Sequence, residues 1–281
     1  MRPPIFILSM ERSGSTLIRH LLGAHREIYA PEELHLGALC YQLGLTLSAG
    51  LEDADSGTAE IKTVTIRDLN LRTVRMQLSA PARLCIRRTV EALINPTLVA
   101  RDKTILCEKT PQNCGYAELL HAVFPDARFI CLYRDCYDVA SSCIEAMHVG
   151  FGRGLAGYIR SGTGSIAETL VYAWMDKTSG MLQFEKSGAL TMRVKYENLA
   201  RNPHEQLRSI FEFLQLDYSS DLTAQTFSIP SEQRPGRGDH KFLTTTKVHA
   251  ESIGRADRIR AEILPNHLAS AVQGLLGELK Y

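Results

Sequence analysis

The sequence predicts an α/β fold of three layers, in which a central and mainly parallel β-sheet is flanked by helices. Four short apolar runs occur along the chain, and each precedes a polar turn and a segment with apolar residues at helical spacing. Strands that alternate with helices are joined by right-handed crossovers, which make the sheet parallel. No internal repeat or low-complexity tract is visible, so we expect a single domain over residues 1–281.

The first strand is predicted at Ile5–Leu8, and it runs directly into the polar turn Ser9–Thr16. From Leu17 to Leu22, apolar residues then recur on one face of a helix. This part of the chain is therefore predicted to form a strand, a turn and a helix.

A long segment, residues 30–100, separates the first strand from the second. It contains an acidic loop at residues 50–57 and helical patterns at Ile66–Leu78 and Pro81–Ile94. We expect this segment to form a helical cap inserted over the carboxyl edge of the sheet.

Three more strands follow, and each precedes a helix-compatible stretch. The strands are predicted at Thr104–Cys107, Arg128–Tyr133 and Ala189–Val194. The helical stretches are Gly115–Val123, Asp135–Met147 and Pro203–Leu214. A glycine-rich basic stretch, residues 150–164, precedes a further helix that contains Trp174, and it is either a flap over a site or a surface connection.

The composition excludes several classes of protein. Lys and Arg number 32 against 31 Asp and Glu, and this balance argues against nucleic acid or another polyanion as the main partner. No apolar run is long enough to span a membrane and the N-terminus does not resemble a secretory signal, so we expect a cytoplasmic protein. The seven cysteines are scattered without metal-ligand spacing, which predicts neither disulfides nor a metal site.

The turn after the first strand has the composition of a phosphate-binding loop. It consists of Arg12, Ser13, Gly14, Ser15 and Thr16 and opens a helix, where backbone N–H groups and hydroxyl groups can surround an anion. The glycine allows the backbone to approach the anion closely. The alternative is an ordinary strand-to-helix turn with a serine N-cap.

This loop is not a Walker A motif, because GxxxxGK[ST] is absent and Arg12 precedes the glycine. A magnesium-dependent nucleotide hydrolase would need an Asp after a neighbouring strand, but Arg128–Tyr133 is followed by Arg134. We therefore expect a phosphate site without a metal, with Arg134 and Ser142 at the same sheet edge. The alternative is that Arg134 only pairs with Asp138 as a helix-capping salt bridge.

Motifs in chain order resemble those of sulfotransferases that use 3′-phosphoadenosine 5′-phosphosulfate (PAPS), a family with a P-loop-like fold. The stretch Arg12–Thr16 resembles the family's 5′-phosphosulfate loop. The stretch Leu132–Ser142 resembles its 3′-phosphate motif, with Arg134 and Ser142 at the matching positions. The resemblance implies PAPS as sulfonate donor, 3′-phosphoadenosine 5′-phosphate (PAP) as product, and no metal.

Two later motifs extend the resemblance to about Lys247. The stretch Val194–Leu199 is similar to a late strand and helix of the family, in which Tyr196 matches a residue near the adenine. The loop that begins at Arg234 resembles the family's loop over the 3′-phosphate. Candidate 3′-phosphate ligands in this loop are Arg234, Gly236 and Arg237.

The sequence also departs from the small-molecule members of that family. Those members carry Lys where this chain has Arg12 and an aromatic residue where it has Leu17, so adenine stacking must come from elsewhere. Their histidine base has no counterpart near Lys109.

The stretch Cys107–Pro111 instead resembles the Glu-Lys motif of sulfotransferases that use a glutamate base. Glu108 ends a predicted parallel strand at the edge where such sheets bind ligands, so it is the candidate base, with Lys109 orienting it or the sulfonate. Arg12 would stabilise the charge on the leaving phosphate. His240 is the rival base, and the alternative for the Glu-Lys pair is a helix cap.

The acceptor is less well indicated. The stretch GDHKF with Glu251–Gly254 resembles sulfotransferase domains of bacterial polyketide and olefin synthases, the curacin type. That resemblance implies a β-hydroxyacyl chain on an acyl carrier protein as acceptor, and the alternative is a free hydroxylated metabolite. Five arginines are candidates to dock the carrier or are simply a solvated face: Arg83, Arg87, Arg88, Arg153 and Arg160.

Two other classes of function are kept open. A small-molecule kinase would share the architecture, but its Walker lysine and magnesium ligand are absent from the sequence. A non-catalytic nucleotide-binding module would keep Arg134 and Ser142 and have no use for Glu108. Binding of PAP without magnesium and the turnover of Glu108→Gln would separate these classes.

Overall fold

Five parallel strands form the centre of the protein in the computed structural model, which describes residues 1–51, 76–148, 165–228, 242, 245–255 and 264–281. The strands are β1 (Ile5–Ser9), β2 (Ile28–Tyr29), β3 (Ile105–Glu108), β4 (Arg128–Tyr133) and β5 (Leu190–Lys195). Their order across the sheet is β2-β3-β1-β4-β5. β1 therefore lies at the centre, between β3 and β4.

The described helices lie between and after these strands. They are α1 (Ser15–Gly23), α2 (Leu36–Leu51), α3 (Ala80–Ala100), α4 (Ala117–Val123), α5 (Cys136–His148), α6 (Ile166–Phe184), α7 (Tyr196–Arg201), α8 (Pro203–Leu214), α9 (Asp221–Ser228) and α10 (Asn266–Glu278). A 3₁₀ helix, Pro111–Tyr116, precedes α4.

The register of the sheet brings functional positions to one edge. Ser9 pairs with Leu132 at the end of β1, and Phe6 pairs with Glu108 at the end of β3. Tyr133 pairs with Lys195 at the ends of β4 and β5. Because all the pairs are parallel, the turns that follow these strands share the carboxyl edge.

The sheet is covered on both faces, which gives the predicted three layers. All five residues of β1 are buried. Phe6 and Leu8 belong to one core cluster, and Ile5 and Ile7 to the other, as the two-residue period of a strand requires. The first cluster contains buried residues of α2–α6 and α10, and the second contains those of α1 and α7–α9. The α/β fold class is therefore confirmed.

The predicted elements agree with the structure apart from shifts of one or two residues at most ends. The helical pattern predicted at Pro203–Leu214 matches α8 at both ends. The pattern at Pro81–Ile94 is longer in the structure, where Ser79 caps α3 by accepting a hydrogen bond from the Ala82 N–H at 3.3 Å. The pattern at Ile66–Leu78 falls on residues 66–75, outside the described part, while residues 76–79 are not helical.

Several elements were missed in the sequence, among them β2, α2, α9 and α10. β2 has two residues, too few to show a period. α2 is apolar on most of its surface and has no polar face that would mark its helical phase. Its Leu36 and Cys40 pack in the same core cluster as Ile86 of α3. The described ends of the predicted cap therefore form part of a layer on the sheet.

All seven cysteines are free thiols, and six of them are buried. Within the described residues, no group of side chains could hold a metal ion. None of the described helices has the length and apolar character needed to cross a bilayer.

Candidate functional site

The turn between β1 and α1 has a backbone that depends on its glycine. Gly14 has φ 89°, and its carbonyl accepts the first helical hydrogen bond from the Ile18 N–H at 3.2 Å. A Cβ at Gly14 would lie 2.3 Å from Cδ2 of Tyr196. Ser15 begins α1 and Thr16 follows it, so this turn presents the N-terminal end of a helix next to an aromatic ring.

Arg12 and Arg134 bring the turn and the end of β4 together. The Arg12 Nε donates a hydrogen bond to Ser142 Oγ at 3.2 Å, which joins the turn to α5. The Arg134 Nη1 donates to the Arg12 carbonyl at 2.9 Å. Arg12 itself has φ 65°, a left-handed conformation that this contact stabilises. Arg12 therefore lies beside Arg134 and Ser142, which are 122 and 130 positions away in the sequence.

Tyr196 and Ser252 complete the surroundings of Arg134. The Arg134 guanidinium lies over the Tyr196 ring at 4.4 Å, and its Nη2 donates to the Ser252 carbonyl at 2.5 Å. The Tyr196 hydroxyl and Ser252 Oγ are 2.5 Å apart. Tyr196 thus packs between the glycine of the turn and the arginine after β4.

These residues line a cavity of about 110 Å³ at the carboxyl edge. Its wall includes the residues just described, and Leu17, Asp138, Phe242, Lys247 and Arg255 also contribute. The Phe242 ring stacks on His20 with centroids 4.2 Å apart, which places an aromatic group in the wall although Leu17 is aliphatic. Phe242 was not singled out in the sequence, because nothing local links it to the turn.

The cavity has the chemistry of an anion site. Ser13 Oγ and Arg134 Nε are buried and have no hydrogen-bond partner among the described residues. Both groups can donate to an oxyanion at the positive end of α1. The Asp138 carboxylate carries a charge opposite to that of Arg134. Its Oδ2 lies 3.9 Å from Arg134 Nη2 and accepts a hydrogen bond from the Gly254 N–H at 2.9 Å. The predicted salt bridge to Asp138 is therefore present alongside the contacts to the turn.

Glu108 lies in the core and not on the surface of the site. Its side chain is fully buried, and its carboxylate accepts hydrogen bonds from the Leu34 N–H at 3.2 Å and from Thr110 and Asn113. Burial raises the pKa of Glu108 to about 7, while the hydrogen bonds and nearby Lys109 act in the opposite direction. The carboxylate has no described contact with the cavity.

Lys109 points instead to Glu33, a residue that the sequence analysis missed. Lys109 Nζ lies 2.5 Å from Glu33 Oε1, and the side chains are 5% and 36% exposed. The Glu33 side chain is therefore partly exposed, in contrast to that of Glu108. The signal for Glu33 was weak, because it follows the two-residue strand β2 and its partner is 76 positions away.

A second ion pair beside the turn was also missed. Lys177 of α6 is nearly buried, and its Nζ lies 2.6 Å from Glu11 Oε2. Glu11 Oε1 accepts from Gln112 Nε2 at 3.3 Å. Glu11 immediately precedes Arg12, so α6 and the 3₁₀ helix both hold the residue next to the turn's arginine.

Several predicted site residues lie outside the described part of the chain. They are Arg153, Arg160, Arg234, Gly236, Arg237 and His240. Of the other proposed docking arginines, Arg87 is engaged within the fold, since it donates to Asp126 at 2.8 and 3.0 Å and to Glu91 at 3.0 Å. Arg88 is exposed and Arg83 is partly exposed.

Comparison with known proteins shows the family to which the chain belongs. The Sulfotransferase family model matches residues 3–220, which is most of the chain. Nodulation protein NoeE of Sinorhizobium fredii is 25% identical over 256 residues, covering 88% of this chain and 58% of NoeE. The chain thus spans less than two thirds of that relative.

Two solved structures share the fold over the whole chain. The sulfotransferase domain from the curacin biosynthetic pathway has a TM-score of 0.66 at 18% identity, covering 100% of this chain and 98% of that domain. The sulfotransferase domain from the Synechococcus PCC 7002 olefin synthase has a TM-score of 0.63 at 21% identity, covering 100% and 96%. The family match includes both the arginine-bearing turn at the end of β1 and the arginine after β4. This chain therefore belongs to the sulfotransferase family and has its P-loop-like fold.

Proposed function

We propose that this sulfotransferase takes its sulfonate group from PAPS and transfers it to a hydroxyl group. The observation that carries the proposal is the convergence of Arg12, Arg134, Ser142 and Tyr196 on one cavity at the N-terminus of α1. A donor with a phosphosulfate and a second phosphate needs positive charge at two places on the same edge. Arg12 and Arg134 supply that charge from two neighbouring turns.

The turn after β1 would hold the phosphosulfate. Its helix N-terminus, Arg12 and the Ser13 hydroxyl, which has no partner among the described residues, offer donors to phosphate oxygens. As sulfonate leaves, negative charge grows on the phosphate, and these fixed donors stabilise it. Gly14 lets the ring of Tyr196 approach the turn, and Phe242 supplies a second aromatic surface for the adenine ring of the donor.

The second phosphate would be bound by Arg134 and Ser142. The Arg134 Nε is buried without a partner among the described residues, while its two other nitrogens bind the Arg12 and Ser252 carbonyls. A phosphate that replaced the Ser252 carbonyl at Arg134 Nη2 would accept hydrogen bonds from both Nη2 and Nε, which is a bidentate contact. Arg234, Gly236 and Arg237 remain candidates from the later loop.

Glu33 is the proton acceptor that the geometry favours. Its carboxylate is partly exposed beside Lys109, whereas Glu108 is enclosed by donors in the core. Lys109 can hold Glu33 in place and offer a positive charge to the sulfonate. His240 lies outside the described residues and remains the rival base. Exchange of Glu33 for Gln should lower turnover by about 10²–10⁴-fold while PAP still binds.

For the acceptor we favour a β-hydroxyacyl chain on an acyl carrier protein. The support is the fold shared over the whole chain with sulfotransferase domains of the curacin pathway and of an olefin synthase. The exposed Arg88 and the partly exposed Arg83 on α3 offer positive charge to an acidic carrier. The alternative acceptor is a free hydroxylated metabolite.

A screen with mass spectrometry tests both levels of this proposal. The protein is incubated with PAPS and either a β-hydroxyacyl carrier protein or a panel of small hydroxylated compounds, and each product is examined for the mass of one added SO₃ group. We expect the gain on the carrier protein. A gain only on small compounds would replace the acceptor, and a failure of PAP to bind without magnesium would contradict the donor.

A further inference from the structure

The segment that carries Glu33 has no regular structure, yet side chains hold it from several sides. Residues 30–35 connect β2 to α2 across the carboxyl edge of the sheet. A loop of this kind would be expected to move, because few backbone groups of such a loop are paired within it. Here the backbone groups on both sides of Glu33 are bound by side chains of other elements.

Before Glu33, the chain is held by Arg19 of α1. The Arg19 Nη1 donates to the carbonyls of Ala30 and Pro31, both at 2.9 Å. Arg19 is almost fully buried, which is unusual for an arginine, and its Nη2 also lies 2.6 Å from His20 Nε2. Its burial lowers the pKa of the guanidinium, while the carboxylates of Glu32 and Glu33 act in the opposite direction.

After Glu33, three side chains accept hydrogen bonds from backbone N–H groups of the loop and of the start of α2. Glu108 Oε1 accepts from Leu34 at 3.2 Å, Thr110 Oγ1 from His35 at 3.1 Å, and Asn113 Oδ1 from Gly37 at 3.1 Å. His35 has φ 53°, a conformation that costs free energy in a residue with a side chain and persists only when its surroundings hold it.

The three side chains are also joined to each other. The Thr110 hydroxyl donates to Glu108 Oε1, and the Asn113 amide donates to Glu108 Oε2. All three are buried, at 0%, 0% and 1% exposure. The Glu108 carboxylate therefore receives one donor from the loop and two from the side chains of Thr110 and Asn113. This is the arrangement of a structural hub.

We propose that Arg19, Glu108, Thr110 and Asn113 form a clamp that fixes the backbone around Glu33, so that Glu33 meets Lys109 in one geometry. The four act as positioning residues and Glu108 is not the base. The inference rests on the proposed role of Glu33 as proton acceptor. Its physical reason is that a displacement of about 1 Å at a reacting group can lower a rate by about a hundredfold.

The test uses Thr110, because Thr110→Val keeps the shape and removes the hydroxyl. Thr110→Ser is the matched control, since it keeps the hydroxyl and loses a methyl group. Hydrogen exchange followed by mass spectrometry reports on the peptide that contains His35. We expect Thr110→Val to speed its exchange by at least about tenfold, and Thr110→Ser by less than about threefold. Unchanged exchange in Thr110→Val would overturn the clamp.

Turnover then shows what the clamp is for. With PAPS and the acceptor that gains SO₃ in the screen, Thr110→Val should lower kcat by about tenfold to a hundredfold and leave the Kd of PAP within about twofold. In a Glu33→Gln background, Thr110→Val should lower the remaining turnover no further, since the two residues act as one unit. An equal loss in both backgrounds would overturn the positioning role.

The two proposals fail in different ways. If Glu33→Gln kept the turnover of the unchanged protein, Glu33 would not be the base, and the exchange experiment would still decide whether the loop is clamped. If Glu33→Gln lost turnover and Thr110→Val did not, the base would stand and the clamp would be wrong.

Discussion

Replacement of Gly14 by alanine tests whether the turn after β1 depends on close contact with Tyr196. The new Cβ would lie 2.3 Å from Tyr196 Cδ2 and 2.6 Å from Cε2, well inside van der Waals contact. The ring would have to move, and it carries the contact with Arg134 and the hydrogen bond to Ser252. Overpacking of this kind costs about 1–3 kcal/mol.

The backbone adds a separate cost, because Gly14 has φ 89°. An alanine there is strained by about 1–3 kcal/mol. Gly188 provides the matched control, since it has φ 86° and a Cβ added to it would have nothing within 4 Å. Gly188→Ala should therefore show the backbone cost alone, and the difference between the two variants should show the clash.

Urea denaturation and calorimetric titration with PAP measure the two effects. We expect Gly14→Ala to lose about 1–3 kcal/mol more of the free energy of unfolding than Gly188→Ala. Only Gly14→Ala should weaken PAP binding, by at least about tenfold. Equal stability losses in both variants, with PAP binding unchanged in each, would refute the role assigned to this contact.

Three further predictions concern the neighbouring charged groups. Arg134→Lys should weaken PAP binding by at least about tenfold, because lysine cannot contact a phosphate bidentately, and calorimetry showing equal affinity would remove Arg134 from the site. Lys177→Met should leave the Glu11 carboxylate without its ion pair. We expect this variant to lose about 1–3 kcal/mol of unfolding free energy and to have a lower kcat. The double variant with Glu11→Gln should recover part of that stability in a double-mutant cycle. The pKa of Glu108 is raised from 4.5 to about 7, so the folded protein binds a proton at this group more tightly than the unfolded chain does. The stability due to this group is therefore greatest below about pH 4.5 and falls as the pH rises to about 7. Denaturation curves across that range should show this slope, of roughly 3 kcal/mol in total, and Glu108→Gln should lack it.

Much of the fold could be predicted because its signals are local. The strand Arg128–Tyr133 is a short apolar run, and the helix Pro203–Leu214 has a strong apolar face. By contrast, α2 is apolar on most of its surface, so its phase is invisible without the helices that pack around it. β2 is only two residues long and is defined by its pairing with β3.

The site shows the same division. The arginine-bearing turn and Arg134 follow buried strands, so their place at the sheet edge follows from the topology alone. The topology does not determine which of Glu108 and Glu33 is the accessible carboxylate. A Glu-Lys pair at a strand end looks the same in sequence whichever side chain enters the core, and β3 is buried on both faces, which removes the alternation that would decide it.

The sequence by itself therefore determined the α/β architecture, the anion-binding turn and the arginine after β4, because each depends on residues that are neighbours along the chain. Only the tertiary structure decided which carboxylate is accessible, because the Glu33–Lys109 and Glu11–Lys177 pairs join residues 76 and 166 positions apart. Such contacts arise when the sheet brings separate turns to one edge. Hydrogen bonds from Thr110, Asn113 and the backbone then decide that Glu108 stays inside.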